Sequence, residues 1–240
     1  MIRHRVRVVG HWCMPSAERK GPEERKEGGG RKRIPGGVQA RLVAEASRLF
    51  AARGFDGVAV DEIVAAAGVN KRMVYHYFGN KEGIYRAAVN HVFADLQVLE
   101  KRMIDSHSEK DGPVKGLRKV VSLYFSFHGT YPEFVRILQW ENLNEGRHLA
   151  VEESGMNKNP ILEHLEKLLK EGAAAGVFRK GLDARLVLTS LIGLTGIYFS
   201  NRHTLSRSLG LDFGREDVLA RAAAHAEKVL LAGLRADPPA

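Results

Sequence analysis

Apolar residues recur at helical spacing almost everywhere from Val38 onward, and no run alternates with period two for long enough to suggest a sheet. The pattern predicts an all-α protein of about nine helices. Leu42, Ala46, Leu49 and Phe50 share one side of the first, which Gly54 closes as a C-cap. A long helix capped by Asn80 carries Ile84, Ala88, Val92, Leu96, Leu99 and Met103 down one side until Gly112-Pro113 breaks it. Further helices are expected at about 114–128, 132–147, 159–175, 184–202 and 215–234, with Tyr131-Pro132, Asn159-Pro160, Gly176 and Gly214 as punctuation.

Between the first helix and the long one lie two short segments joined by a glycine. Asp61 to Ala67 reads as one helix and Lys71 to Phe78 as another. Gly68 can take the positive φ that a sharp turn requires, and Asn70 can offer a side-chain oxygen to the N-terminus of the second helix. Ile63, Ala67, Val69, Val74 and Tyr77 fall on the inner faces of two steeply crossing helices, leaving Lys71, Arg72, Met73, Tyr75 and His76 pointing outward. This is the layout of a helix-turn-helix reader of DNA.

The strings Ala46-Ser47-Arg48-Leu49-Phe50, Gly54-Phe55, Asp61-Glu62-Ile63, Ala67-Gly68-Val69-Asn70, Tyr75-His76-Tyr77-Phe78 and Lys81-Glu82 occur in order between Arg41 and Val89. That stretch resembles the DNA-binding domain of the TetR/AcrR transcriptional regulators. Tyr131-Pro132-Glu133-Phe134 with Arg136 and Glu141, then Gly176-Val177-Phe178-Arg179 and Tyr198-Phe199-Ser200-Asn201, resemble the effector-binding and dimerisation half of the same family. The resemblance implies a three-helix reader domain at 38–85 and a helical effector and dimer domain at 86–240. It implies DNA contacts from Asn70, Lys71, Arg72, Met73, Tyr75, His76, Tyr77 and Lys81, with the opening residues of the reader helix on base edges and Tyr75, His76 and Lys81 on phosphates. Where the family carries Ser or Thr before the first reader helix this chain has Val58 and Ala59, so the cap must come from elsewhere, with Asp61 the candidate.

Charge changes the picture only at one end. Residues 1–37 hold ten Lys/Arg against four Glu, a net +6 of the chain's +9, whereas residues 38–90 hold seven against five, a net +2. The stretch 1–37 is rich in Gly and Pro and short of apolar mass, so it reads as a disordered basic tail, with Arg31-Lys32-Arg33 either a linker or an arm on DNA. It has no continuous apolar run of the kind a secretory signal needs, and Met14 offers a second start. A single cysteine, Cys13, cannot make an intramolecular disulfide, which fits a cytoplasmic protein.

The segment Leu186 to Phe199 is apolar almost all round, yet its fourteen residues rise only about 21 Å, short of a bilayer core. It reads as a buried helix rather than a membrane span. With Val218, Ala222, Val229, Leu230 and Leu234 it suggests a four-helix interface across a two-fold axis, where Gly193 and Gly196 let a partner helix approach.

Aromatic and polar residues on the middle helices, namely Tyr124, Phe127, His128, Arg136, Trp140, Glu141 and Tyr198, are the candidate lining of a small-molecule pocket. Arg136 and Glu141 could equally form an ion pair. Glu141, Glu145 and His148 stand at helical spacing like half of a di-metal site, but no second Glu-x-x-His accompanies them, and a solvated helix face is the expected reading. No phosphate loop, nucleophile elbow or zinc cysteine cluster occurs, so neither an enzyme nor a cofactor is expected. The sequence points to a homodimeric, ligand-responsive regulator, most often a repressor in the resembling family, on a near-palindromic operator. The competing reading is a helical small-molecule or metal-binding protein with a vestigial helix-turn-helix.

Overall fold

Ten α-helices and no strand make up the described residues, 37–149 and 159–236, of the computed structural model. The expectations of a disordered tail and of an arm at Arg31-Lys32-Arg33 lie outside those residues. In chain order the helices are α1 (Gly37–Arg53), α2 (Val60–Ala67), α3 (Arg72–Phe78), α4 (Lys81–Asp105), α5 (Gly112–Thr130), α6 (Pro132–Leu143), α7 (Pro160–Ala174), α8 (Ala184–Ser200), α9 (Arg202–Leu209) and α10 (Glu216–Leu234).

The apolar faces meet as their spacing predicts. Helix α1 buries Leu42, Ala46 and Phe50 against α4, α2 and α6, and α4 answers with Ile84, Tyr85, Ala88 and Val89. Helix α5 packs on α7 and α8, and α10 closes over α8 and α5. One apolar cluster runs continuously from Leu42 in α1 to Leu234 in α10, so reader helices and middle helices share a core. Asn80 caps α4 by accepting the Gly83 N–H at 2.8 Å, as its side chain predicts.

Three boundaries differ from the sequence reading. The long helix expected to run to Gly112-Pro113 ends at Asp105, and a 3-10 turn at Glu109–Asp111 precedes α5. The helix expected at 132–147 stops at Leu143, because the Gly146 N–H turns back to the Glu141 carbonyl at 2.8 Å and Glu145 adopts a φ of 60°. The helix expected at 184–202 is followed by a separate one, α9, that the periodicity did not reveal. None of its residues is buried, so it carries no apolar stripe to read.

Helix α8 buries Ala184, Val187, Leu188, Leu191 and Thr195 within the chain, while Leu186, Gly193 and Ile197 face outward. It is therefore half-covered rather than enclosed. No helix among the described residues is long and apolar enough to cross a membrane.

Candidate functional site

The turn between α2 and α3 is built by short-range chemistry. Gly68 sits at φ 66°, Val69 N–H returns to the Val64 carbonyl at 3.1 Å, and Asn70 Oδ1 accepts the Arg72 N–H at 2.9 Å. Helix α3 is pinned beneath by Val74, which is fully buried, as is Ile63 on α2.

At the start of α2 stands Ala59, whose side chain has no oxygen to cap with. Its own N–H instead donates to Glu62 Oε2 at 2.9 Å, and Arg53 pairs with the same carboxylate at 2.8 Å. The Ala59 amide first, then the guanidinium, hold the Glu62 carboxyl below the usual carboxylate range. Asp61, the expected cap, is engaged elsewhere: it pairs with Lys71 at 2.9 Å and so ties the two reader helices together.

The outer face of α3 presents Arg72, Tyr75, His76 and Tyr77, with Asn70 and Lys71 at its start, all exposed. Arg72 makes no ion pair among the described residues, whereas the charge of Lys71 is partly answered by Asp61. Lys81 lies half-buried with its Nζ 4.5 Å above the Phe55 ring, a contact that fixes the ammonium while leaving its N–H groups to donate. Two expectations are corrected. Tyr77 points outward, 41% exposed, because α3 is only seven residues long and its last turn overhangs the core; Met73 is half-buried against that core rather than outward.

The middle helices line a partly open cavity of about 400 Å³. Phe93, Leu96 and Glu100 of α4, Tyr124 and His128 of α5, Phe134 and Leu138 of α6, and Leu188 and Ile192 of α8 form its walls. Glu100 Oε1 accepts the Tyr124 hydroxyl at 2.6 Å. Burial pushes the Glu100 carboxyl up, and the tyrosine hydrogen bond opposes that shift. A shallower depression of about 290 Å³ adjoins it, sharing His128, Phe134, Leu138 and Ile192.

Of the seven expected pocket residues, Tyr124 and His128 line this cavity. Phe127 stacks on Tyr131 in the core beside it, and Tyr198 packs on Phe125 and Phe213. Arg136 is exposed, and the alternative of an Arg136–Glu141 pair does not form, since Glu141 pairs with His148. Trp140 leans on Gly54, and its Nε1–H donates to the Ala51 carbonyl at 3.4 Å. Glu141 is not on a solvated face. It is 1% exposed, takes the Tyr85 hydroxyl at 2.7 Å, and holds His148 through both its N–H and its Nδ1 at 3.1 Å. Trp140 and Glu141 therefore join α6 to α1 and α4. Glu100 went unseen, although an acid four residues after Leu96 in the α4 stripe was a signal for it.

Residues 42–88 match the profile of "Bacterial regulatory proteins, tetR family", and residues 113–229 match "Tetracyclin repressor-like, C-terminal domain". The chain belongs to the TetR family. It is thus a helix-turn-helix, DNA-binding transcriptional regulator. The transcriptional repressor NicS of Pseudomonas putida is 29% identical over 195 residues, which span 81% of this chain and 91% of that protein. Among solved structures, the ketosteroid regulator KstR2 of Mycobacterium tuberculosis superposes with a TM-score of 0.62 at 18% identity, covering 85% of this chain and 98% of that one. The regulator FadR of Bacillus subtilis in complex with stearoyl-CoA gives 0.61 at 21% identity, covering 82% and 99%. At those identities the two likenesses establish the TetR fold alone.

His128 gives the cavity a measurable signature. Burial lowers its pKa to about 4 from the ordinary 6.5, and its Nδ1 has no partner among the described residues. Between those values the unfolded chain binds a proton that the folded one refuses. Stability should therefore be full above pH 6.5 and fall as the solution is acidified towards pH 4, by up to about 3 kcal/mol from this group. In His128→Phe that part of the slope should vanish. Urea titrations across this range compare the two, and parallel curves would mean the ring is solvated.

Proposed function

We propose that this TetR regulator is a cytoplasmic homodimeric repressor that holds a near-palindromic operator and releases it when a small apolar molecule enters the cavity between α4, α5, α6 and α8. One observation carries the reading. The two helices that wall the cavity with Phe93, Leu96, Phe134 and Leu138 also grip the reader domain, through Tyr85 on α4 and through Trp140 and Glu141 on α6. A ligand that alters the spacing of α4 and α6 would shift the helices that carry α3, which is the differential contact that coupling between two sites requires. The repressor sign follows the Pseudomonas putida relative, which is named a repressor.

On the DNA side, Arg72 near the start of α3 has the fork to bond a guanine bidentately, a contact worth about 1–3 kcal/mol of discrimination. Lys81, braced on Phe55, is suited to a phosphate. Arg72→Ala is expected to relax base preference at one position in each half-site, whereas Lys81→Ala should weaken all sequences alike, by roughly one unit in the salt slope per lost contact. Binding-site selection on both variants, started from DNA upstream of the chain's own gene, tests this. If Arg72→Ala keeps the parent's preference, Arg72 leaves the reading set; if the parent selects no sequence at all, the operator reading fails.

A further inference from the structure

We infer that the cavity takes a lipophilic amine, an apolar or aromatic body carrying one protonated nitrogen, with Glu100 as the counter-ion. This rests on the reading of the cavity as the effector site and names what enters it.

Glu100 is the one acid in the described lining and is 7% exposed. Its only hydrogen bond among the described residues is the Tyr124 hydroxyl, and no cation pairs with it there. The one lysine or arginine in the described lining, Lys101, is exposed and directs its Nζ to Asp105 at 3.1 Å. A buried carboxylate without a cation is costly, and that cost falls when a ligand brings the missing charge. The remaining walls suit the rest of such a molecule. Phe93, Phe134 and Tyr124 place in the lining aromatic rings of the kind that attract cations, and Leu96, Leu138 and Leu188 take an apolar body. His128 is held neutral by burial and adds no opposing charge. The volume of about 400 Å³ lies within the range of small-molecule sites. A fatty acid or acyl thioester finds no buried lysine or arginine among the described lining residues, and its chain would bury Glu100 without compensation. The stearoyl-CoA held by FadR of Bacillus subtilis is therefore a poor guide to what enters this chain.

Three ligands of one skeleton read the preference directly. 4-Phenylbutylamine, 4-phenylbutanol and 4-phenylbutyrate differ chiefly in charge, and calorimetric titration of the full chain gives their affinities. The amine is expected to bind at least about 10-fold tighter than the alcohol, and the carboxylate weakest. Glu100→Gln keeps an acceptor for Tyr124 and should bring amine and alcohol within about 3-fold, by weakening the amine alone. An amine preference that survives in Glu100→Gln, a parent that prefers the carboxylate, or an amine that fails to bind at millimolar concentration each overturns the assignment. Leu138→Trp fills the cavity and separates the two claims. If all three bind the parent equally and none binds Leu138→Trp, the cavity is a ligand site and only the charge assignment falls. If filling it changes no affinity, the cavity is not the site and both claims fall.

Discussion

Glu141→Ala is expected to lower the free energy of unfolding by roughly 3 kcal/mol, because three donors lose their acceptor in a place water cannot reach. The Tyr85 hydroxyl, the His148 N–H and the His148 ring all converge on that one carboxylate. Around them the Phe55 and Tyr85 rings lie 4.8 and 4.9 Å from the His148 ring, so the polar group is sealed by aromatic faces. Burial, and next the Glu141 hydrogen bond, push the Tyr85 hydroxyl well above its ordinary range, so it stays a donor at every working pH. Glu141→Gln retains one accepting oxygen but turns an N–H toward a donor, and should fall between alanine and the parent. Urea midpoints with an unchanged slope check the order. If alanine unfolds within about 0.5 kcal/mol of the parent, the network is not a clamp and the coupling of α6 to the reader domain needs another carrier.

This network shows what the sequence could and could not convey. The reader turn was legible because each of its parts is local: Gly68 is forced left-handed by a turn four residues long, and Asn70 bonds a backbone group two residues away. Helical period likewise placed Ile63 and Val74 inside. Period says which face is buried, but not what lies opposite. Tyr85 and Glu141 are 56 residues apart, and nothing in either helix announces the other. Glu141, Glu145 and His148 looked like a wet helix face only because the helix was assumed to continue; the turn after Leu143 carries His148 back over Glu141 instead. The cavity was half-seen for the same reason. Aromatic residues on α5 and α6 suggested a pocket, yet the face of α6 that meets it carries Phe134 and Leu138, one turn away from Trp140 and Glu141, which face α1 and α4.

Gly193→Asp is expected to turn the proposed dimer into a folded monomer. On α8 the outward stripe of Leu186, Gly193 and Ile197 repeats at helical spacing, with the first 67% and the last 44% exposed, and Val229 on α10 adds to the apolar surface at 42%. Within the chain a Cβ added at the exposed Gly193 would meet nothing within 4 Å, so an aspartate can be carried there without a clash at its root. Across the proposed two-fold axis the same position would meet its symmetry mate. Two uncompensated charges in one buried interface cost about 3 kcal/mol each at the low end, which raises the dimer dissociation constant by roughly 10⁴-fold. Gly193→Ala should remain dimeric, since a methyl group carries no desolvation cost. Sedimentation equilibrium separates these outcomes, with circular dichroism to show that helix content is kept. The operator should follow: a monomer reads one half-site, so affinity for the full site drops while binding to an isolated half-site is unaltered. A parent chain that sediments as a monomer at micromolar concentration, or a Gly193→Asp variant that stays dimeric, would place the interface elsewhere and leave the stripe on α8 without a partner.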